Sequence, residues 1–364
     1  MQITVIYNAP QRTSAHAIDH ARSNECNGTV QAVSRDAADF GVLAEVQMIA
    51  STLADAGHEP LLFAAEGAAE LCDFLSKQRP ELIFNCCESF AGRAALEMNV
   101  AALFELFDIP YTGSSALTLG LALNKALTKD VLCAHGIQTP AHVVINQDQD
   151  PVTTHHLSFP LIVKPIAEDA SIGIDDAAVV NDAVALAERV RFVWREFGQP
   201  ALVEEFIAGR EFNVSVLATS PTDFVTLPIG EISFEGLPEG RPQIFGYEAK
   251  WDPESASYKG TVPVCPATID VEMAERIRRI ALTTARAIGL RDYGRIDLRL
   301  RERDQALFVL EVNANPDLTD DAGFMRSAHV SGRTCQSTVC EIVDQTLARS
   351  NLVLAESSSR GLQR

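Results

Sequence analysis

Two periodicities organise the chain. Short apolar runs bounded by turn residues read as strands, and apolar residues three and four apart read as helices. Met1–Asn8, Glu59–Ala64 and Leu82–Cys86 are predicted strands, the last continuous and apolar and so buried on both faces. Gly41–Ala56 is a predicted amphipathic helix, with Val42, Val46, Ile49 and Leu53 on one face and Gly57 as its C′ residue. Ala68–Gln78 is a helix stopped by Arg79–Pro80; a further helix runs to Phe107 and a short strand covers Ile109–Thr112. This alternation implies a parallel α/β sheet. Ala9–Phe40, polar and weakly periodic, reads as a long loop or flap.

From Leu117 the pattern changes. Leu117–His135 reads as one helix, and strands Phe159–Pro165 and Ala201–Phe206 flank helix Asn181–Phe197. Asn213–Leu217, Val225–Ile232 and the runs around Arg295 and Glu311 are strands, with a long helix at Val271–Ile288. Strands outnumber helices here and can lie antiparallel. Asn351–Arg364, ending ESSSRGLQR, reads as a disordered tail. The expected units are 1–115, 116–207 and 208–350, followed by the tail 351–364; a chain of 364 residues accommodates two or three domains.

The richest stretch is DYGRIDLRLRERDQALFVLEVNANPDLTDD, residues 292–321. Two strand-like runs flank RERDQA, and a turn centred on Asp304 pairs Arg295 with Asn313 and Asp297 with Glu311. The other face then pairs Ile296 with Val312, Leu298 with Leu310 and Leu300 with Phe308, all apolar. Directly opposed carboxylates repel, so a positive group belongs between Asp297 and Glu311. Arg295 is one candidate. A hard divalent cation with oxygen ligands is the better one, because Asn313 adds a carbonyl oxygen, and Mg²⁺ held by carboxylates and substrate phosphates fits the set. A solvated hairpin face with a surface ion pair is the alternative; the apolar flanks weigh against it.

Charge narrows the partners. The chain has 49 Asp and Glu against 30 Lys and Arg, a net charge of −19, which argues against a nucleic-acid surface and an electrostatic membrane anchor. The start lacks the features of a signal peptide, no apolar run reaches a membrane span, and a cytoplasmic location is expected. Eight scattered cysteines without C-x-x-C read as reduced core thiols, Cys86 and Cys87 included, and the histidines do not supply zinc-ligand spacing. Only six lysines occur, and four fall on informative motifs: Lys125 and Lys129 on one helix face, Lys164 in PLIVKP and Lys250 in YEAKW. A lysine on a buried strand needs a counter-charge, and with Mg²⁺ and phosphates present that counter-charge is a nucleotide. EDASIG, residues 168–173, follows Lys164 as a small-residue loop able to close over phosphates.

The ordered set IPYTGS (109–114), NKALTK (124–129), PLIVKP (160–165), VEEFIAGREF (203–212), YEAKW (247–251), GRIDLRL (294–300) and LEVNANP (310–316) resembles the ATP-grasp superfamily, in particular D-alanine–D-alanine ligase-like enzymes. The resemblance covers about residues 82–332. It implies an N-terminal parallel α/β domain followed by two ATP-clamping subdomains, α+β in the C-terminal part. It implies ATP and Mg²⁺ (or Mn²⁺) as cofactors, small-molecule carboxylate and amine substrates of the amino-acid class, and a homodimer. By the same resemblance Lys125 and Lys164 contact ATP, and Lys250 closes over its phosphates. Glu204, Glu205 and Ile207 match the adenine-reading strand, Glu211 the ribose contact, and Leu310 is a further cofactor contact. Asp297, Glu311 and Asn313 match the metal ligands, Arg295 the arginine on the transferring phosphoryl group, and Ser171 a serine of the covering loop.

The implied activity is an ATP-dependent carboxylate–amine ligase working through an acyl phosphate. An ATP-binding protein with a degenerate site and a small-molecule kinase are the alternatives. The substrate side departs from the family pattern: YNAPQRTSAHAID lacks the early Glu, Ala170 replaces the first of two serines, and Asp317 and Ala322 stand at the Gly and Ser positions. Glu88, Asp317 and Asp321 are the candidate substrate contacts. Asp317, Asp320 and Asp321 together would repel a carboxylate, which points to an acceptor other than D-alanine, bearing a cationic or hydroxyl group. Alternatively these aspartates only cap a turn.

Overall fold

The computed structural model describes residues 1–8, 28–154 and 156–361, with the backbone alone for 28–40 and 352–361. Strand β1 (Gln2–Asn8) leads to helix α1 (Gly28–Asp55), β2 (Glu59–Ala65), α2 (Ala68–Gln78), β3 (Leu82–Cys86) and α3 (Glu97–Leu106). The three strands form a parallel sheet in the order β2-β1-β3, as the alternation predicts. α1 begins at Gly28, not at Gly41, so the stretch 28–40 of the expected flap is helical. TVQAVSRDAADF contains neither Pro nor Gly, and nothing in it breaks a helix. Residues 9–27 of that flap lie outside the described residues. α1 ends in a Schellman pair: His58 N–H donates to Leu53 O at 3.0 Å and Gly57 N–H to Ala54 O at 2.9 Å, with Gly57 at φ +85°. The expected strand at 109–112 reduces to one parallel bridge between Tyr111 and Ile83.

The predicted helix 117–135 is two helices, α4 (Ala116–Leu123) and α5 (Lys125–Ala134). Asn124 breaks them: it leaves the helical region at ψ 94°, and its side-chain oxygen accepts from Leu127 N–H. The Lys125 N–H then bonds to Ile166 O at 3.1 Å instead of continuing α4. β4 (His142–Ile145), β5 (Leu161–Pro165), β6 (Val179–Val180), α6 (Ala183–Phe197) and β7 (Ala201–Glu205) make a small antiparallel sheet, β4-β7-β5-β6. One face packs on Leu186, Val190 and Val193 of α6.

The largest sheet has six strands. β8 (Gly209–Ala218), β9 (Phe224–Thr226), β10 (Gly230–Ser233), α7 (Tyr247–Trp251), α8 (Ala256–Gly260) and β11 (Val262–Val264) precede helix α9 (Val271–Ile288) and the hairpin β12 (Tyr293–Arg301) and β13 (Leu307–Asn313). The order is β11-β10-β8-β12-β13, with β9 also on β8. The single strand expected at 225–232 is interrupted near Pro228, which has no N–H for a ladder. Gly209 opens β8 where a Cβ would sit 2.0 Å from Leu300 O, so no larger residue fits that approach.

α9 has the bounds its periodicity predicts. Asp270 caps it by accepting from Met273 N–H at 2.7 Å. Asp270→Ala should cost about 1 kcal/mol, readable as a lower urea midpoint with an unchanged slope. α10 (Gly323–Val330) and α11 (Cys335–Gly361) close the chain, so most of the expected tail is helical. Buried Asp292, just before β12, gathers Arg349 of α11 (2.9 Å), Thr346 (2.9 Å) and the Gly113 N–H (2.8 Å). This junction ties the N-terminal unit and α11 to the start of the strand that carries Arg295 and Asp297.

The hairpin register is only half as expected. Arg295 pairs with Asn313, Ile296 with Val312 and Asp297 with Glu311. A bulge follows, and Leu298 then pairs with Val309, Arg299 with Phe308 and Leu300 with Leu307. Leu310 is the extra residue. A bulge leaves one residue unpaired and re-aims its neighbours, and Leu310 lines the cavity described below instead of facing Leu298.

Candidate active site

One face of β12 and β13 borders a cavity of about 940 Å³ between the small and large sheets. Arg295, Asp297, Glu311 and Asn313 all line it, as two-residue alternation requires. Asp297 accepts two bonds from Arg295, Nε to Oδ1 and Nη2 to Oδ2, both 2.9 Å. Asn313 Nδ2 lies 3.1 Å from Oδ2, and Asn213 Nδ2 of β8 lies 2.7 Å from Oδ1. In this state Arg295 is therefore the positive group on Asp297. Glu311 faces Lys125 at 3.8 Å. Burial pushes the Glu311 carboxyl up, but Lys125, Lys164, Lys250 and Arg295 outweigh it and hold it at about 2. Two carboxylates and an amide oxygen on one strand pair match the hard-oxygen preference of a magnesium ion.

The lysines converge from separate elements. Lys125 starts α5, Lys164 sits in β5, and both are buried. Lys164 Nζ lies 3.1 Å and Lys129 Nζ 3.2 Å from Glu204 Oε1 on β7. Burial raises Glu204, yet the two ammonium groups win and its carboxyl is held below the usual range. Lys129 does not line the cavity. It is fully buried, donates to Thr139 Oγ1 at 2.8 Å and Leu310 O at 3.3 Å, and so pins the bulge. Burial pulls Lys129 down to about 8 despite Glu204. Lys250 on α7 makes no ion pair among the described residues; burial and then Arg295 lower it.

Glu204 and Glu205 point apart, as adjacent strand residues must. Glu205 pairs with Arg301 at 3.1 Å. Glu211 Oε2 accepts from Arg299 Nη2 at 2.8 Å; Arg299 also donates from Nη1 to Ile207 O at 2.8 Å and from Nη2 to Gln243 O. Arg299, only 3 % exposed, organises the nucleoside-side candidates Ile207 and Glu211. Sequence reasoning missed it, although it continues the two-residue alternation from Arg295 and Asp297. Ser171, at φ +60°, donates to Phe245 O at 2.9 Å, and Trp251 Nε1 donates to Ala170 O at 3.3 Å. The 168–173 loop is thereby latched onto the segment carrying Lys250.

Acidic residues of the N-terminal unit and of the 317–322 turn also reach the cavity. Glu45, Glu88, Glu97 and Asp317 line it. Burial first, then Asp317 and Glu88, lift the Glu45 carboxyl well above its ordinary range; burial, Asp169 and Glu88 do the same to Glu97. Glu45 carried a signal in the sequence: it stands on the apolar face of α1 beside Val42, Val46 and Ile49. Asp317 Oδ1 accepts the Thr319 N–H at 2.7 Å and so caps its turn while lining the cavity; Asp321 lines it too. Asp320 does not line the cavity, correcting the expectation of three repelling aspartates; its side chain turns to His329 and Cys335.

A D-ala D-ala ligase C-terminus family signature matches residues 131–344. The D-alanine–D-alanine ligase of Xylella fastidiosa is 32 % identical over 292 residues, covering 78 % of this chain and 88 % of that one. This chain belongs to the D-alanine–D-alanine ligase family. The uncharacterized protein y4sG of Sinorhizobium fredii is 33 % identical over 304 residues, covering 81 % and 85 %. Among solved structures, the D-alanine–D-alanine ligase of Bacillus anthracis complexed with ATP superposes with a TM-score of 0.71 at 20 % identity, covering 96 % of this chain and 99 % of that one. The fold is therefore ATP-grasp, an N-terminal parallel α/β layer followed by two sheets about a cleft. Family membership makes the chain an ATP-dependent carboxylate–amine ligase that forms C–N bonds. The signature spans β5, β7 and the hairpin, while Lys125 and Lys129 precede it. No helix among the described residues is long and apolar enough to cross a membrane.

Proposed function

We propose that this D-alanine–D-alanine ligase relative couples a carboxylate to an amine through an acyl phosphate, and that its acceptor is not D-alanine but a molecule with a cationic or hydroxyl group. The observation that carries the reading is the make-up of one cavity's lining. Lys125, Lys164, Lys250 and Arg295 line it with Asp297, Glu311 and Asn313, and so do the carboxyls Glu45, Glu88, Glu97 and Asp317.

A substrate carboxylate oxygen attacks the γ-phosphorus of ATP and ADP departs. The amine nitrogen then attacks the acyl carbon, loses a proton and displaces phosphate. Lys125 and Lys164 hold the phosphates, Lys250 covers them, and Arg295 stabilises charge on the phosphoryl group in flight; such preorganised charge carries most of phosphoryl transfer. Asp297, Glu311 and Asn313 would hold magnesium, whose charge would neutralise the phosphates. Glu204, Glu205, Ile207, Leu310 and Glu211 form the nucleoside side, and Ser171 keeps the loop closed over it. No protein nucleophile is required, in keeping with the raised thiols of Cys86 and Cys87.

The raised carboxyls support the acceptor assignment. Glu45 and Glu97, lifted by burial and by neighbouring carboxylates, are relieved by a cation and worsened by a further anion. The test is a mass-spectrometric survey of products formed from ATP, Mg²⁺ and pooled amino acids. Amides of basic or hydroxylated acceptors should dominate, with D-alanyl-D-alanine at least about tenfold lower, a difference of about 1.4 kcal/mol in transition-state binding. D-alanyl-D-alanine as the main product overturns the acceptor assignment, and background ADP release over the whole panel overturns the ligase reading.

A further inference from the structure

We propose that Asp320, His329 and Cys335 form a binding site for a soft divalent transition metal, Zn²⁺ by its donor set, outside the ligase cavity. One carboxylate oxygen, one imidazole nitrogen and one sulfur lie within 4.8 Å of one another. The pairwise separations are 2.9 Å for His329 Nε2 to Asp320 Oδ1, 3.0 Å for Cys335 Sγ to Asp320 Oδ1 and 3.8 Å for Cys335 Sγ to His329 Nε2. Tetrahedral zinc with N, O and S ligands places such atoms roughly 3.3–3.6 Å apart, so small side-chain shifts complete the triangle. The fourth position faces solvent, as the exposure of Asp320 and His329 leaves it.

A second observation concerns the imidazole. His329 Nδ1 lies 3.2 Å from Arg333 O. With Nδ1 placed to donate to a backbone carbonyl, Nε2 is the nitrogen turned to Asp320 and Cys335, and a metal would replace the proton that Nε2 shares with Asp320, leaving the arrangement typical of metal-bound histidine. The same geometry disfavours a nucleophile triad: Nε2 faces both Asp320 and Cys335, so the ring cannot take a proton from sulfur on one nitrogen while Asp320 holds the other. Spacing along the chain hid the cluster, since its members lie nine and six residues apart on the 317–322 turn, α10 and the start of α11. A metal here fastens the turn bearing cavity residues Asp317 and Asp321 to the head of α11.

Metal-free full-length protein, kept reduced and without ATP or Mg²⁺, is titrated with Co²⁺ as the spectroscopic probe and with Zn²⁺ as competitor. One equivalent of Co²⁺ should produce a thiolate-to-cobalt charge-transfer band that Zn²⁺ abolishes. Cys335→Ser should remove the band, and His329→Ala should weaken binding on the order of 100-fold, no less than loss of an outer partner. Asp297→Ala should leave the band intact, which separates this site from the ligase site. Zn²⁺ should also protect Cys335 from iodoacetamide, as mapped on its peptide. A band that survives Cys335→Ser, no band at millimolar Co²⁺, or alkylation of Cys335 indifferent to Zn²⁺ overturns the proposal.

Discussion

Asp297→Ala is expected to lower ATP-dependent amide formation by about 10³-fold or more, the scale for losing a group that organises transition-state charge. Three consequences combine. The proposed metal set of Asp297, Glu311 and Asn313 loses one carboxylate. Arg295 loses both of its 2.9 Å bonds and is no longer aimed. The Asn213 and Asn313 amides lose their shared acceptor. ADP release and product formation should fall together, because the damage precedes the branch between phosphoryl transfer and amide formation. Initial rates at saturating ATP, with circular dichroism to confirm folding, provide the check. A folded variant within tenfold of the parent rate removes Asp297 from the machinery.

The second large effect is on stability. Glu204→Gln should destabilise the fold by about 3–5 kcal/mol, the usual loss when one partner of a buried ionic cluster is removed. Lys129 and Lys164 remain, both buried and positively charged, against one neutral amide. The effect has a pH signature. The Glu204 carboxyl is lowered in the folded state, so its contribution is complete above the unfolded value of about 4.3 and is lost as pH falls through the folded value. Lys129 is also lowered, to about 8. Between pH 8 and its unfolded value of about 10.4 the unfolded chain holds a proton that the folded chain has released, so stability rises with pH across that window. Without Glu204 that window extends downward, and raising the pH from 7 to 9 should recover part of the variant's loss. Urea melts at several pH values read both effects; a variant within about 0.5 kcal/mol of the parent at pH 7 contradicts the cluster's role.

The site was legible where its members share a local period. Arg295, Asp297, Glu311 and Asn313 belong to one hairpin, and alternation puts them on one face whatever surrounds them. Register beyond them was not legible. Leu310 is apolar, and a period-two pattern carries no mark of a skipped residue, so the bulge had to come from packing: Lys129 on the Leu310 carbonyl and Thr139 on the Val309 carbonyl at 2.8 Å. Asn124 likewise reads as an ordinary helical position until Ile166 claims the next N–H.

By itself the sequence determined the layered order of strands and helices, the four-residue square on the hairpin and the ordered motifs that mark the ligase family. These rest on contacts among neighbours in the chain, where side-chain period and turn chemistry act directly. Tertiary structure alone decided which lysines reach the cavity and which brace it. It gathered Glu45 and Glu97 with Asp317, and it turned Asp320 away from Asp317 and Asp321 towards His329 and Cys335. Each of these joins residues from different elements, and their separation in space follows from how the sheets and helices pack, which no local pattern encodes.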